Sequence, residues 1–471
     1  MIGAESMAAV FSANEITAAV KGRLLRGDGS AQSAGASTDT RTLEAGELFI
    51  ALKGPNFDGA DFLAQAMEKK AAGLVVEKGA DVPGGGASFV VEVADTLQAL
   101  GDLAHAHRSR FEIPVAGVTG SNGKTTTKEM IAAVLSARGE TCKSEGNLNN
   151  LVGLPHQVLR LGEEHENAVF EMGMSEPGEI RRLAEIARPQ VAVITNVGPA
   201  HIEGLGSVEA VRDAKGEILE TIPPGDVAVL SNEDSHSRVL AGRHEATGGR
   251  VVRFGFSPQS DFWADEIRID PEGARFALRG PDGESEVRLQ ALGRHNVLNA
   301  LAAAACASAM DVGLDEVADG LSRAVLPKMR LQAREIPGRG GVQLLDDSYN
   351  ANPESVSQAL ETASALRGDG RLISVLGDMA ELGLTAESAH REVGRKVVSC
   401  GVDLFVGVGP LMRFASDGAR RAGMDGARIM NFDSPEQAAA SLGEMLLSGD
   451  WVLVKGSRSM RMERVIEGLE I

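Results

Sequence analysis

Cysteine is scarce in this chain. Cys142, Cys306 and Cys400 are the only three, too few and too scattered for a disulfide framework or a zinc cluster, so they read as reduced core thiols. Long apolar runs are also missing. No stretch approaches the ~20 residues needed to span a bilayer, so membrane insertion is not expected. The first 20 residues lack a basic region and carry two glutamates, which argues against a secretory signal. Basic charge is in the minority, with 47 Lys and Arg against 66 Asp and Glu and a net charge of −19. Such a chain repels a polyphosphate backbone, which disfavours sequence-independent nucleic-acid binding. An anionic ligand must then be held locally, by backbone amides, a few placed cations or a metal. Short-period repeats and low-complexity tracts are absent. A cytoplasmic protein is expected.

What is present is globular composition, with 43% hydrophobic and 24% charged residues over 471 positions. That length suggests about three domains. Residues 1–112 show short strand-like runs (48–52, 74–77, 89–93) and a helix-like interval at 59–72. From Ile113 onward, continuous apolar strands alternate with helices near Lys124, Glu179 and Val208, the pattern of a parallel sheet covered on both faces. Residues 250–292 break that pattern and read as a small antiparallel appendage built on VVRFGF, GARFAL and SEVRLQ, followed by an alanine-rich helix over 296–310. Beyond Pro327 the alternation resumes as a second doubly wound α/β unit. The expected fold is therefore α/β in three domains, 1–112, 113–326 and 327–471, the first smaller and mixed α/β.

The sharpest motif is GVTGSNGKTTTKEM at 117–130, between a predicted strand and a predicted helix. The segment Thr119, Gly120, Ser121, Asn122, Gly123, Lys124, Thr125 and Thr126 has the composition of a phosphate loop. Its glycines let backbone N–H groups converge, and the helix N-terminus adds its positive dipole end. Lys124 supplies a mobile charge for terminal phosphates, and the Thr125 hydroxyl is placed to ligate Mg²⁺. The usual loop has glycine where this chain has Val118. ATP binding is the expectation. Mg²⁺ then requires oxygen ligands at neighbouring strand ends. Glu171 ends the run NAVFE, and His201 follows the next strand, in ITNVGPAHIEGLGS. Lys215, flanked by acids in RDAKGEILE, reads from spacing alone as a solvated helical lysine.

Two asparagine clusters leave alternatives open. Asn147, Asn149 and Asn150 in GNLNNLVGLP suit a peptide or sugar ligand, and equally suit a turn. Asn296 and Asn299 in GRHNVLNALAAA share a helix face and could read an adenine edge, or could serve as a helix cap. In the last third, DDSYNANPES, LGDMAELG and KGSR each follow a strand, where an open α/β sheet carries its ligand site.

Taken in order, VTGSNGKTTTKE, GNLNNLVGLP, FEMGMSEPGEI, ITNVGPAHIEGLGS, AKGEI, GRHNVLNALAA, DDSYNANPES, LGDMAELG and VKGSRS resemble the Mur ligases of peptidoglycan synthesis. The stretch TDTRTLEAGELFIALKGPNFDGADF, 38–62, is similar to the family's UDP-binding domain. Val118 accords with the family pattern. The resemblance implies a UDP-substrate domain, a central ATPase domain and a C-terminal Rossmann-like domain. It also implies ATP-dependent joining of a peptide carboxylate to an amine, through an acyl phosphate. DDSYNANP with LGDMAELG points to the members that add D-alanyl-D-alanine to a UDP-linked muramoyl tripeptide. By the same resemblance, Lys124, Glu171, His201 and Lys215 form the catalytic group, with Thr125, Glu171, His201 and a carbamylated Lys215 on Mg²⁺. Asn296, Asn299, Arg330, Asn350 and Asn352 join the loop on ATP. Asp39, Arg41, Asn147, Asn149, Asn150, Asp347 and Tyr349 face the other substrates, with roles for Lys455 and Arg458 left open. A monomer is expected. The competing readings are a sister ligase adding the third residue, folylpolyglutamate synthetase, or a regulatory P-loop ATPase.

Overall fold

The computed structural model describes residues 9–54, 57–200 and 202–470. Its strands form four sheets. A two-stranded ribbon (Val10–Ser12 with Gln32–Ala34) accompanies a five-stranded sheet ordered Arg23–Gly27, Phe89–Val93, Gly73–Glu77, Leu48–Ile50, Ala36–Ser37. A nine-stranded sheet runs Gly283–Leu289, Gly273–Gly280, Phe262–Asp270, Arg250–Gly255, Val227–Ser231, Val191–Ile194, Val115–Thr119, Asn167–Glu171, Thr141–Lys143. A six-stranded sheet runs Gln332–Glu335, Gln343–Asp347, Trp451–Lys455, Leu372–Gly377, Leu404–Val408, Ile429–Phe432. Grouped by internal packing, the chain forms two compact units, 1–119 with 138–192 and 217–227, and 120–137 with 193–216 and 228–471.

The apolar runs behave as parallel core strands should. Val115–Thr119, Val227–Ser231 and Trp451–Lys455 are buried at every position, because helices cover both faces. The chain leaves Val115–Thr119 toward one edge of the nine-stranded sheet and later returns to its other side, so that strand marks the switch in strand order. Ligands of open α/β sheets bind beside the carboxyl ends of strands at such a switch.

The edge hairpins are antiparallel, as expected, but they continue the nine-stranded sheet. Arg250–Gly255 pairs in parallel with Phe262–Asp270, a strand the alternation does not predict. A bulge between Asp265 and Arg268, with Glu266 at φ +52°, resets the inside–outside phase of that strand and hides its periodicity. The helix-like interval 59–72 also resolves differently. Asp58 caps a 3₁₀ turn over Gly59–Phe62, a short helix spans Leu63–Glu68, and Lys70 turns left-handed at φ +63° to end it.

Helices near the candidate loops are set by small residues and caps. Helix Arg294–Ala309 is buried along Ala300–Ala305, where alanine allows close approach. Helix Pro353–Leu366 starts from a capping box between Asn352 and Ser355, with Pro353 in its first turn. Helices Ala386–Ser399 and Met412–Arg421 meet glycine to backbone. A Cβ on Gly394 would overlap the Ala415 carbonyl, and one on Gly418 would overlap that of Arg391. Gly394→Ala should therefore cost about 1–3 kcal/mol of stability by forcing the helices apart, measurable by urea unfolding.

Candidate active site

The phosphate-type loop takes the shape its glycines imply. Gly120 and Gly123 adopt φ +149° and +80°, conformations that side chains resist. A Cβ on Gly120 would overlap the Thr195 hydroxyl, and one on Gly123 the Asn299 carboxamide. No side chain caps helix Lys124–Leu135, whose N-cap is Gly123, and such an end is suited to an anion. Lys124 folds back over the loop, donating from Nζ to the Gly120 carbonyl at 2.7 Å. Thr126 is buried, while Thr125 is partly exposed with its Oγ1 3.5 Å from Arg330 Nη2.

Two residues that the motif did not reveal, Thr195 and Asn196, shape the loop's other side. Ser121 N–H donates to the Asn196 carbonyl at 3.0 Å and Asn122 N–H to Asn196 Oδ1 at 2.9 Å. The Ser121 hydroxyl donates to the Gly198 carbonyl and accepts from Gly198 N–H, both at 2.9 Å. These N–H groups are committed to protein acceptors.

Asn296 and Asn299 are buried and touch each other, Asn299 Nδ2 donating to Asn296 Oδ1 at 3.0 Å. The capping alternative fails, because Gly293 holds the N-cap position and Asn296 donates instead to the Leu292 carbonyl at 2.8 Å. Their helix thus places Asn299 directly against Gly123.

Glu171 is buried at the carboxyl end of its strand, opposite Val118 in register. Asn149 Nδ2 donates to Glu171 Oε1 at 2.8 Å. Asn150 does local work, its Oδ1 accepting from Gly153 N–H at 2.8 Å, and Asn147 is exposed. The asparagine cluster therefore divides between a turn and a carboxylate contact. Lys215 is not the solvated helical lysine that spacing suggests. It is buried, 1% exposed, and burial together with the charge of Lys124 pushes its pKa well below the ordinary lysine value. His201 lies outside the described residues. Among the described residues no group of three or more His, Cys, Asp and Glu could by itself hold a metal. A hydroxyl such as that of Thr125 is a hard oxygen donor of the kind Mg²⁺ takes when substrate phosphates complete its shell.

In the N-terminal segment Arg41 grips Asp39 through Nε and Nη2, the shortest contact being 2.6 Å. These bonds hold the Asp39 carboxyl at about 2. Thr38 Oγ1 lies 3.1 Å from His156 Nε2, a histidine that the sequence did not single out, and burial lowers its pKa.

The DDSYNANP loop is pinned from behind. Asp347 and Lys455 face each other in register on adjacent strands. Lys455 Nζ donates to Asp347 Oδ2 at 2.6 Å and to the Asn350 carbonyl at 2.9 Å. Asp347 Oδ1 also accepts from Leu331 N–H at 3.1 Å. Asp347 thus ties the loop to the linker before it, whose Met329 and Leu331 sit at φ +64° and +51° on either side of Arg330. The Arg330 guanidinium stacks over the Tyr349 ring at 4.1 Å. A cavity of about 300 Å³, with Leu292, Val325, Arg330 and Arg334 among its lining residues, opens beside this linker. Arg458 instead forms a surface ion pair with Glu463 at 2.8 Å.

A doubly wound sheet whose switch strand ends in a glycine–lysine loop, facing a polar loop from a further α/β sheet, defines a nucleotide-phosphate-binding enzyme of several domains. The Mur ligase middle domain matches residues 118–307, the Mur ligase glutamate ligase domain 329–458, and the Mur ligase family catalytic domain 34–108. The UDP-N-acetylmuramoyl-tripeptide–D-alanyl-D-alanine ligase of Bacillus subtilis is 36% identical over 435 residues, covering 92% of this chain and 93% of its own. Among solved structures, MurF from Acinetobacter baumannii superposes with a TM-score of 0.89 at 32% identity, over 98% of this chain and 99% of that one. MurF ligase from Thermotoga maritima, in complex with ADP, gives 0.82 at 29% identity, over 92% and 96%. The chain belongs to the Mur ligase family.

One partly buried group makes the site sensitive to acid. His295, within reach of the charges of Lys455 and Glu361, has its pKa pushed down to about 4, chiefly by desolvation and then by the Lys455 charge. A histidine depressed in the folded chain contributes stability that is intact above about pH 6.5 and is lost as pH falls toward about 4. Unfolding free energy should drop across that window, and His295→Asn should flatten the drop.

Proposed function

We propose that the chain is an ATP-dependent carboxylate–amine ligase that joins UDP-N-acetylmuramoyl-tripeptide to D-alanyl-D-alanine, releasing ADP and phosphate. The reaction belongs to cytoplasmic peptidoglycan precursor synthesis, and the chain acts as a monomer of three domains, 1–112, 113–326 and 327–471. The observation that carries the reading is the Gly120–Thr125 loop, set beside Asn299 and Arg330, in a chain similar from end to end to ligases with that name.

A carboxylate is a poor acyl donor, because amine attack would have to expel oxide. Transfer of the ATP γ-phosphoryl to the tripeptide carboxylate breaks the bond to ADP and forms an acyl phosphate. The dipeptide amine then attacks the acyl carbon, and phosphate leaves through a tetrahedral intermediate as the amine proton is lost. The first step brings two anions together. Each unit-charge pair at ~4 Å opposes this by roughly 4 kcal/mol at an effective dielectric near 20, so positive charge must be concentrated locally. Lys124 and the helix N-terminus behind it supply that charge on the terminal phosphates. Asn296, Asn299, Arg330, Asn350 and Asn352 orient the nucleotide, with Arg330 aligned by its stack on Tyr349. Asp39, Arg41, Asn147, Asn149, Asn150, Asp347 and Tyr349 serve substrate binding.

By the family resemblance, Thr125, Glu171 and His201 would hold Mg²⁺, which would supply positive charge against the phosphates. Lys215 contributes as a carbamate. Burial and the Lys124 charge favour its neutral amine, from which Nζ would bond to the carbon of CO₂ and release one proton, converting a buried base into an oxygen ligand.

Phosphate release should require both the UDP-linked tripeptide and D-alanyl-D-alanine. Lys124→Ala should abolish it with the fold intact; wild-type turnover would remove the role given to the loop. Lys215→Ala should lower turnover by more than about 100-fold, the scale of losing a metal-supporting group. Native mass spectrometry should show one added CO₂ on the wild-type chain. An unmodified lysine in a fully active enzyme would refute the carbamate.

A further inference from the structure

Asn122 of the phosphate loop is bonded through both its backbone and its side chain, and the side chain is held by a segment more than 200 positions away. Its N–H donates to Asn196 Oδ1 at 2.9 Å, and its carbonyl accepts from Thr195 Oγ1 at 2.5 Å and Asn196 Nδ2 at 3.2 Å. Its side chain turns the other way. Asn122 Nδ2 donates to Glu354 Oε2 at 3.0 Å, while Asn122 Oδ1 accepts from Asn352 Nδ2 at 2.7 Å. Both partners come from the start of helix Pro353–Leu366, directly after the DDSYNANP loop.

The polarity of this cluster is determined link by link. Asn352 Oδ1 accepts the Ser355 N–H at 2.9 Å as the helix cap, so only its Nδ2 can face Asn122. Asn122 must answer with Oδ1, which leaves its Nδ2 pointing at position 354. That position therefore needs an acceptor. Glu354 supplies one, partly buried and approached closely by Gly198, where a Cβ would stand 2.5 Å from its Oε2. Gln358 Nε2 lies 3.4 Å from the other oxygen. Burial, and the nearby charge of Asp234, raise the pKa of the Glu354 carboxyl, while its bond from Asn122 lowers it.

We infer that Glu354 is a positioning residue for the ligase reaction: it orients Asn122 so that the DDSYNANP segment is clasped onto the phosphate loop. The inference rests on the reading of that loop as the nucleotide site. The clasp sets where residues 347–352 stand when the acyl phosphate meets the amine; with Lys124, Asn299 and Arg330 still on the nucleotide, its loss acts on turnover more than on nucleotide affinity. Small misplacements of reacting groups are costly to rate.

The test compares kcat for phosphate release, ADP affinity by calorimetry and melting temperature in six chains. Glu354→Ala should lower kcat about tenfold with ADP affinity within about threefold of wild type. Glu354→Gln keeps an acceptor oxygen and should retain most of the turnover. Asn122→Asp places a carboxylate against Glu354 and should lose about as much as Glu354→Ala. The double variant Asn122→Asp with Glu354→Gln reverses donor and acceptor and should recover turnover, an outcome that a general loss of stability would not produce. Wild-type kcat in Glu354→Ala, or a double variant no better than Asn122→Asp, overturns the inference. Lys124→Ala is the control for its foundation: wild-type ADP affinity there would remove the loop reading and the clasp together, whatever Glu354 does.

Discussion

Two lysines near one strand end cannot both stay buried and charged. Lys124 crosses the phosphate loop, and Lys215 is buried within range of its field. Desolvation and like charge both fall on Lys215, because Lys124 keeps partly exposed surroundings and a carbonyl partner. The result is one cation for phosphate and one amine whose charged form is disfavoured. That division determines much of the remaining design. The loop needs glycines where neighbours press against it, and the helix behind it carries no capping side chain. Asp347 is tied to the Lys455 ammonium, and Glu171 accepts from Asn149.

The sequence made the loop legible because its chemistry is local: strand, glycines, lysine and helix start lie within fourteen residues. The second doubly wound sheet was legible for the same reason, since its buried strands are continuous apolar runs bounded by turns. Lys215 was not. Helical spacing among acids looks like a solvated face, and only the packing of the folded chain shows an ammonium with nowhere to be hydrated. Thr195, Asn196, His156 and Glu354 carry no local signal at all, because each acts through a partner distant in sequence. The strand Phe262–Asp270 was hidden by a single bulge, which shows how little irregularity defeats a period of two.

The asparagines illustrate why composition alone left alternatives. An amide both donates and accepts, so the same residue type can cap a turn, orient a carboxylate or clasp a loop. Asn150 does the first, Asn149 the second, and Asn352 caps its helix with one end while holding Asn122 with the other. Only the geometry of neighbours distinguishes these uses. The same holds for Lys455, whose ammonium is spent on Asp347 and the Asn350 carbonyl and so shapes the loop from behind.

The central claim is that positive charge gathered at this strand end lets a carboxylate attack a triphosphate. Isotope transfer tests it most directly. UDP-linked tripeptide labelled with oxygen-18 in its terminal carboxylate is incubated with ATP and D-alanyl-D-alanine, and the released phosphate is analysed by mass. Phosphate carrying one labelled oxygen is the result expected from an acyl phosphate. Unlabelled phosphate alongside complete amide formation would contradict it.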